Sequence, residues 1–293
     1  MLHRSTAGRL FDWFNYLLFV LFCLSILIPF INAISISLSS YEAASLGKVG
    51  LWPQGFNLEA YHKLVNSKQF IRTFMNTAFL TVVNTTLVIL LSLAAGYVMA
   101  NKHLIGKRFL FTVLIIPMYF SGGLIPLYLL VNKLGLNNTY WALILPGAIN
   151  IFYIIVFRNQ INQLPQELIE SAEIDGASEL RILIHIILPL VLPMAMAFVV
   201  FSAVAYWNEW FHVLIYIRDK KMWTLQFQLR DILISAELID PEMEKSLFSS
   251  ETLIHPNNLK MAALMLTILP IIIVYPFVQK YFIHGQLVGA VKG

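Results

Sequence analysis

The sequence predicts an all-α membrane protein with six transmembrane helices, and three observations carry that expectation. Apolar residues make up 58% of the 293 and charged residues only 12%, with a mean hydropathy of +0.73, outside the balance of a soluble domain. The apolar residues gather in runs of about twenty, the length that crosses a hydrocarbon core of about 30 Å at about 1.5 Å per helical residue. The connections between the runs are mostly short and hold the basic residues, as the flanks of membrane segments do.

The first run, residues 16–38, follows Arg4 and Arg9 and so has the outline of a signal peptide. Its length, its Pro29 and Asn32, and the five runs after it favour a retained helix. The second span is expected at 70–100, opening on Asn76-Thr77, carrying Asn84 at depth and ending before Lys102, Lys107 and Arg108. The third, 109–131, contains Pro117, Gly122, Gly123 and Pro126, which imply a kink or an unwound turn bordered by protein or by a water-filled cavity. A fourth span follows at 140–157, a fifth at 186–206 and a sixth at 261–282. The whole chain, 1–293, reads as one transmembrane domain, with a loop at 164–189 on one side and a long hydrophilic loop at 207–260 on the other.

Six spans place both termini on one side. With the termini inside, nine lysines and arginines fall inside and eleven outside, six of the eleven in the 207–260 loop. That loop is close to the length of about 60 residues beyond which the positive-inside rule ceases to apply. Setting it aside leaves nine against five and favours cytoplasmic termini. The net charge of +4 is dispersed along the chain, so no nucleic-acid partner is expected. Cys23 is the only cysteine and lies in the first span, which excludes an intramolecular disulfide and a cysteine metal cluster.

The loop from Leu164 to Pro189 is the segment with a signature. Pro165 suits a first helical turn, Glu167 complements the positive end of the helix dipole, and Gly176 suits the left-handed residue that closes a helix. A helix of about ten residues is expected, with Leu168, Ile169 and Ala172 as one apolar stripe, followed by Ser178 capping a helix that continues into span five. Interfacial helices on lipid carry lysine and arginine on their polar face. This one carries Glu167, Glu170, Glu173, Asp175 and Glu179 against Arg181, which suits a protein groove better than anionic lipid.

Glu170-Ser171-Ala172, then Asp175-Gly176-Ala177, then Ile187-Leu188-Pro189 and Pro193 resemble the EAA loop of the permease subunits of ATP-binding cassette (ABC) importers, with serine in place of the first alanine. The resemblance extends to Phe120-Ser121-Gly122-Gly123-Leu124-Ile125-Pro126, to Trp207-Asn208-Glu209-Trp210 and to the tail from Tyr281 to Gly293, which are similar to the second permease subunit of the maltose-type carbohydrate importers. The Ser-Gly-Gly-Leu-Ile-Pro piece is similar to a branch that handles complex or acidic oligosaccharides and includes the alginate importer. The resemblance implies a type I ABC importer transmembrane domain in the bacterial inner membrane, with both termini cytoplasmic. It implies that Glu170, Ser171, Ala172, Asp175, Gly176, Ala177 and Pro189 belong to a coupling helix docked on an ATPase. Its expected partners are a second permease, two ATP-binding cassette subunits, an extracytoplasmic solute-binding protein touching the long external loop, an oligosaccharide and membrane lipid.

No phosphate-binding glycine loop is present, so this chain is expected to bind no cofactor, with ATP and magnesium held by the partner ATPases. Glu170 and Asp175 are accompanied by no histidine, cysteine or glycine-rich phosphate loop, which weighs against a catalytic pair, and no histidine pair has the i, i+4 spacing of a helical metal site. The candidates for a pore lining are Tyr119, Gly122 and Gly123 at the expected break, Asn150, and Tyr206, Trp207 and Asn208 at the end of span five. For the aromatic residues an interfacial belt is the competing explanation, and for Asn76, Asn84 and Asn150 it is hydrogen bonding between helices. An ion-driven carrier or a membrane enzyme would place ionisable groups within its spans, and here Arg72 at the edge of span two is nearly alone. A membrane scaffold without transport remains as a further alternative.

Overall fold

The computed structural model describes residues 6–237 and 254–290, with side chains described for 10–234 and 254–276. The tail signature from Tyr281 and residues 235–253 of the long hydrophilic loop therefore lie outside the described side chains. Among the described residues there is no strand, and the helices are α1 (Thr6–Ser37), α2 (Tyr41–Ser45), α3 (Glu59–Val65), α4 (Lys68–Ala100), α5 (Lys107–Tyr119), α6 (Leu124–Lys133), α7 (Trp141–Ile144), α8 (Ile151–Ile161), α9 (Glu167–Ile174), α10 (Glu179–Ile182), α11 (Leu188–Trp207), α12 (Phe211–Tyr216), α13 (Leu225–Glu237) and α14 (Pro256–Ala290). They divide into two compact units, Met1–Phe70 with Leu229–Leu269 and Ile71–Gln228 with Pro270–Gly293.

In the first unit α1 is apolar and exposed over most of its length, with Trp13, Phe19 and Leu27 at 75%, 62% and 52% exposure, a surface suited to hydrocarbon. Only its final turns are polar and buried, at Ser35 and Ser37. A helix end leaves carbonyls without an intrahelical donor, and side chains supply donors here. Asn258 Nδ2 on α14 donates to Ile36 O at 3.0 Å and Ser39 O at 2.5 Å. Asn32 Nδ2 donates to Gly50 O at 2.8 Å and Ser35 Oγ to Leu51 O at 2.7 Å, fastening the loop before α3 to the helix.

The second unit is organised on α4. Thr73, Thr77, Thr81, Asn84, Thr85 and Ser92 recur along one side of this otherwise apolar helix and are all buried. In hydrocarbon each backbone group has to find a partner inside the protein, and this polar side provides several. Asn76 Nδ2 donates to Lys221 O (2.8 Å) and Trp223 O (3.0 Å), Thr77 Oγ1 accepts from Leu225 N (2.7 Å), Asn84 Nδ2 donates to Leu143 O (3.3 Å), and Ser92 Oγ donates to Asn150 O (3.4 Å). Each of these groups lies where another chain segment is non-helical or ends a helix. Asn76 and Asn84 therefore hold irregular backbone. Beyond this polar side, α4 crosses α8 closely at Gly96, where an added Cβ would stand 2.7 Å from Phe157 Cβ and 3.1 Å from Arg158 N.

Two segments expected as single spans are each a pair of helices. α5 and α6 meet at 113° across Phe120–Gly123, a larger deflection than an in-helix proline produces. Gly123 enables it with φ 88°, a conformation few other residues adopt. Further on, α7 gives way to a 3-10 turn through Pro146 and then to α8, the two parts bent by 43°. Among the described residues four helices are long and apolar enough to cross a membrane (Leu10–Ser37, Lys68–Ala100, Glu179–Trp207 and Pro256–Pro276), and up to six crossings result if each bent pair is one.

The third of these crossings, Glu179–Trp207, is continuous through α10, a π-helical turn at Leu183–Ile187, and α11. Pro189 lacks an amide hydrogen and its ring crowds the carbonyl four residues back, at His185. The wider π turn ends two residues before it and absorbs that conflict without breaking the helix. A core of Val88 and Leu93 (α4), Phe157 (α8) and Ile187, Val191 and Phe198 joins α4, α8 and α11. Within it the Tyr153 and Phe198 rings stack at 4.0 Å.

Candidate functional site

The acidic loop forms α9, and its boundaries follow from local chemistry. Pro165 precedes the helix, with Leu168 N donating to Pro165 O at 3.3 Å and Glu170 N to Gln166 O at 3.0 Å. At the other end Ala177 N donates to Ala172 O (2.9 Å) and Gly176 N to Glu173 O (3.0 Å), while Gly176 holds φ +76°. This pair of bonds around a left-handed glycine is a Schellman closure, which commonly carries an apolar contact between its first and last residues. Here both Ala172 and Ala177 pack on the α4–α8–α11 core. Asp175 occupies the C-cap, and Ser178 occupies the N-cap of α10 with extended backbone but no capping hydrogen bond from its side chain.

The sequence pattern is thus resolved into two faces. Ile169 is half-buried and Ala172 is 8% exposed, both facing the core of the same chain. Leu168, expected on that stripe, instead lies on the outer side at 43% exposure, with Ile174 at 86%. Glu167, Glu170, Ser171, Glu173 and Asp175 are exposed with them. Ala172 therefore anchors the helix and is withdrawn from its outer surface. Pro189 is exposed and separated from α9 by the whole of α10 and the π turn, where its effect is on helix geometry.

Two polar contacts that sequence reasoning did not reach join this loop to the end of α4. Lys102 Nζ donates to Gln166 Oε1 just before α9, and Tyr97 OH donates to Glu179 Oε2 at 2.5 Å just after it. Beside them lies a cavity of about 150 Å³ bordered by Tyr97, Lys102, Gln166, Ile169, Glu170 and Glu173. The paired residues are 64 and 82 positions apart, so no local pattern announces them.

The residues considered for a pore lining are dispersed. Tyr119 is 74% exposed, and Gly122 and Gly123 are exposed beside it at the α5–α6 break. Asn150 caps α8, its Oδ1 accepting from Tyr153 N at 3.2 Å. Tyr206 OH donates to Gly147 O at 2.8 Å and so satisfies the turn between α7 and α8. Trp207 is 8% exposed, edge-on to Phe74 at 5.7 Å, which places it inside the fold and not in an interfacial belt. It borders an apolar cavity of about 250 Å³ with Ala78, Thr81, Val204, Pro270 and Val274. Asn208 is exposed, with its amide donating to Val204 O and accepting from Gln226, both at 2.8 Å.

Beyond Trp207, Glu209 and His212 form a pair at 2.9 Å. Burial pushes the Glu209 carboxyl up, but hydrogen bonds from His212 outweigh it and hold the group below its ordinary range. The hydrogen bond to Glu209 raises His212 against the opposing effect of burial. Glu209 O also accepts from Thr224 Oγ1 at 2.7 Å, tying the loop after α11 to the start of α13.

Comparison with known proteins follows the same lines. The profile of the family described as binding-protein-dependent transport system inner membrane component matches residues 89–286. Protein LplC of Bacillus subtilis is 39% identical over 293 residues, covering 100% of this chain and 98% of that one. The polygalacturonan/rhamnogalacturonan transport system permease protein YtcP of Bacillus subtilis is 37% identical over 286 residues, with 98% and 99% covered. A chain in the crystal structure of a bacterial ABC transporter involved in the import of the acidic polysaccharide alginate matches 96% of this chain and 100% of its own length, with a TM-score of 0.88 and 29% identity. A chain in the crystal structure of a bacterial alginate ABC transporter in complex with alginate pentasaccharide-bound periplasmic protein has a TM-score of 0.52 at 16% identity and shares the fold, covering 91% of this chain and 93% of its own.

Proposed function

We propose, since the chain belongs to the family of binding-protein-dependent transport system inner membrane components, that it is a pore-forming permease of an ABC importer for acidic oligosaccharides. The observation that carries the mechanism is α9, a short helix anchored on one face by Ile169 and Ala172 and presenting Leu168, Glu170, Ser171, Ile174 and Asp175 on the other. A rigid helix with an exposed mixed apolar and acidic face is suited to a groove on a protein partner. That partner is an ATPase subunit, so both termini and α9 are cytoplasmic, and ATP with magnesium is bound and hydrolysed on two such subunits. A second permease completes the pore, and a solute-binding protein delivers the sugar from outside. Alternating access then follows from movement of the two permeases as the ATPases close and part.

Uronate-rich oligosaccharides are the substrate class that fits the relatives' names, one a polygalacturonan/rhamnogalacturonan permease and one an alginate importer. The test is to purify the tagged chain from native membranes in mild detergent, identify the associated chains by mass spectrometry, and reconstitute the assembly with ATP inside proteoliposomes. Recovery of a second permease and an ATPase, with uptake of oligogalacturonides or oligoalginates in preference to arabino-oligosaccharides, is the expected outcome. A chain that purifies alone and transports without ATP would overturn it.

A further inference from the structure

We infer that Tyr97 and Lys102 are positioning residues that fix the angle of α9 to α4, so that a displacement of α9 reaches the membrane-spanning helices without being lost in its joints. The inference rests on the reading of α9 as the coupling helix. α9 has a joint at each end, residues 162–166 before it and the left-handed Gly176 after it. Its apolar seat is small, one half-buried isoleucine and two alanines. A seat of that size keeps the helix on the surface but leaves rotation about its own axis weakly opposed, because small side chains interlock little with their neighbours.

Two polar bonds supply the missing constraint, one at each joint. Gln166 is the N-cap residue of α9, yet its side chain makes no capping bond and instead receives Lys102 Nζ. Glu179 stands in the first turn of α10, and its carboxylate receives the Tyr97 hydroxyl at 2.5 Å, a charge-assisted bond of the stronger kind. The α4 side of both bonds is firm. Gly96, adjacent to Tyr97, brings α4 against the α8 backbone so closely that an added Cβ would lie 3.1 Å from both Ile154 O and Arg158 N. The Tyr97 ring itself packs on the core that holds α8 and α11. The connection from α9 therefore runs through two clasps into a rigid α4–α8 pair. The cavity bordered by Tyr97, Lys102, Gln166 and Ile169 gives α9 room to tilt when the clasps are undone.

The experiment uses the complete importer, expressed with its partner subunits and reconstituted in proteoliposomes. The readout is sugar imported per ATP hydrolysed, using whichever of oligogalacturonide, oligoalginate or arabino-oligosaccharide drives wild-type uptake best. Tyr97→Phe keeps the ring and removes the donor, Glu179→Ala removes the acceptor, and Glu179→Gln keeps an acceptor oxygen. Loss of one charge-assisted bond at each variant is expected to lower import per ATP by about threefold or more while ATPase activity persists. The double variant Tyr97→Phe with Glu179→Ala should fall no further than either single variant, and Glu179→Gln, which keeps an acceptor oxygen but loses the charge, should fall between wild type and Glu179→Ala. Unchanged import per ATP in both single variants overturns the inference, and so does a parallel fall of uptake and ATPase at constant ratio, which marks a purely structural bond. If Tyr97→Phe does not assemble, Glu179→Ala tests the same bond from its other side. Glu170→Lys separates the two levels. If Glu170→Lys uncouples the importer and the clasp variants do not, the clasps alone are refuted. If Glu170→Lys has no effect on uptake, the coupling-helix reading fails and takes the clasps with it.

Discussion

Gly176 offers a test of what the glycine in the acidic loop is for. A Cβ added there meets nothing within 4 Å, while the backbone sits at φ +76°. A substituent would therefore be penalised by conformation and not by collision, and an L-residue in the left-handed region costs about 1–2 kcal/mol. That shifts the closed Schellman turn toward open forms by roughly 5- to 30-fold. Asparagine enters this region more readily than alanine although it is larger, and leucine bears the same Cβ in the same backbone conformation as alanine. The expected order of damage is thus small for Gly176→Asn, greater and about equal for Gly176→Ala and Gly176→Leu, and greatest for the β-branched Gly176→Val. Hydrogen exchange at the amides of Gly176 and Ala177, which close the turn on Glu173 O and Ala172 O, reads the population directly. Import per ATP in the reconstituted importer should decline in the same order. A ranking by volume, with asparagine worse than alanine and leucine far worse than both, would refute the conformational account and point to a crowded contact at this position.

Three further outcomes are expected. Gly96→Ala forces the α4–α8 crossing apart, because its Cβ would stand 2.7 Å from Phe157 Cβ with backbone atoms 3.1 Å away, and overpacking of this kind costs about 1–3 kcal/mol. A thermal unfolding scan in detergent should show a lower midpoint, and an unchanged midpoint would mean the crossing is looser than described. Asn76→Asp removes both donors to Lys221 O and Trp223 O while keeping the acceptor for Tyr140 OH, at a cost of about 1–3 kcal/mol for the carbonyls left without partners. It should therefore destabilise nearly as much as Asn76→Ala, and wild-type stability in the aspartate variant would show that the donors are dispensable. The Glu209–His212 pair predicts a pH signature. The raised His212 value gives stability present in full below its unfolded value and lost as pH rises through the folded one, and the lowered Glu209 value gives stability lost as pH falls through its own folded value. The midpoint difference between wild type and His212→Gln should be largest between about pH 4.3 and 6.5 and shrink in alkali, and a difference that grows with pH would contradict the pairing.

What the sequence alone determined is the part governed by one-dimensional physics. Hydrocarbon thickness sets a run length, so the positions of α1, α4, α11 and α14 could be read from composition. Local backbone chemistry places Pro165 before α9 and Gly176 after it, because each acts within a turn of its own position. Ser-Gly-Gly-Leu-Ile-Pro at 121–126 likewise marked a break, although not a 113° one, since two glycines permit an angle without choosing it. The Pro146-Gly147 break could have been found from the same residue types and was hidden by the apolar run around it. Tertiary structure decided the rest, where partners lie far apart in the chain. Leu168 and Ile169 are neighbours of similar hydropathy, and only the position of the core turns one inward and leaves the other outside. The partners of Asn76 and Asn84, the distant carbonyls of Lys221, Trp223 and Leu143, are likewise set only by the fold. Tyr97 and Glu179 are ordinary residues of their segments until folding brings them to hydrogen-bond distance. A periodicity can say that a residue faces something, but which atom it meets is a property of the folded chain.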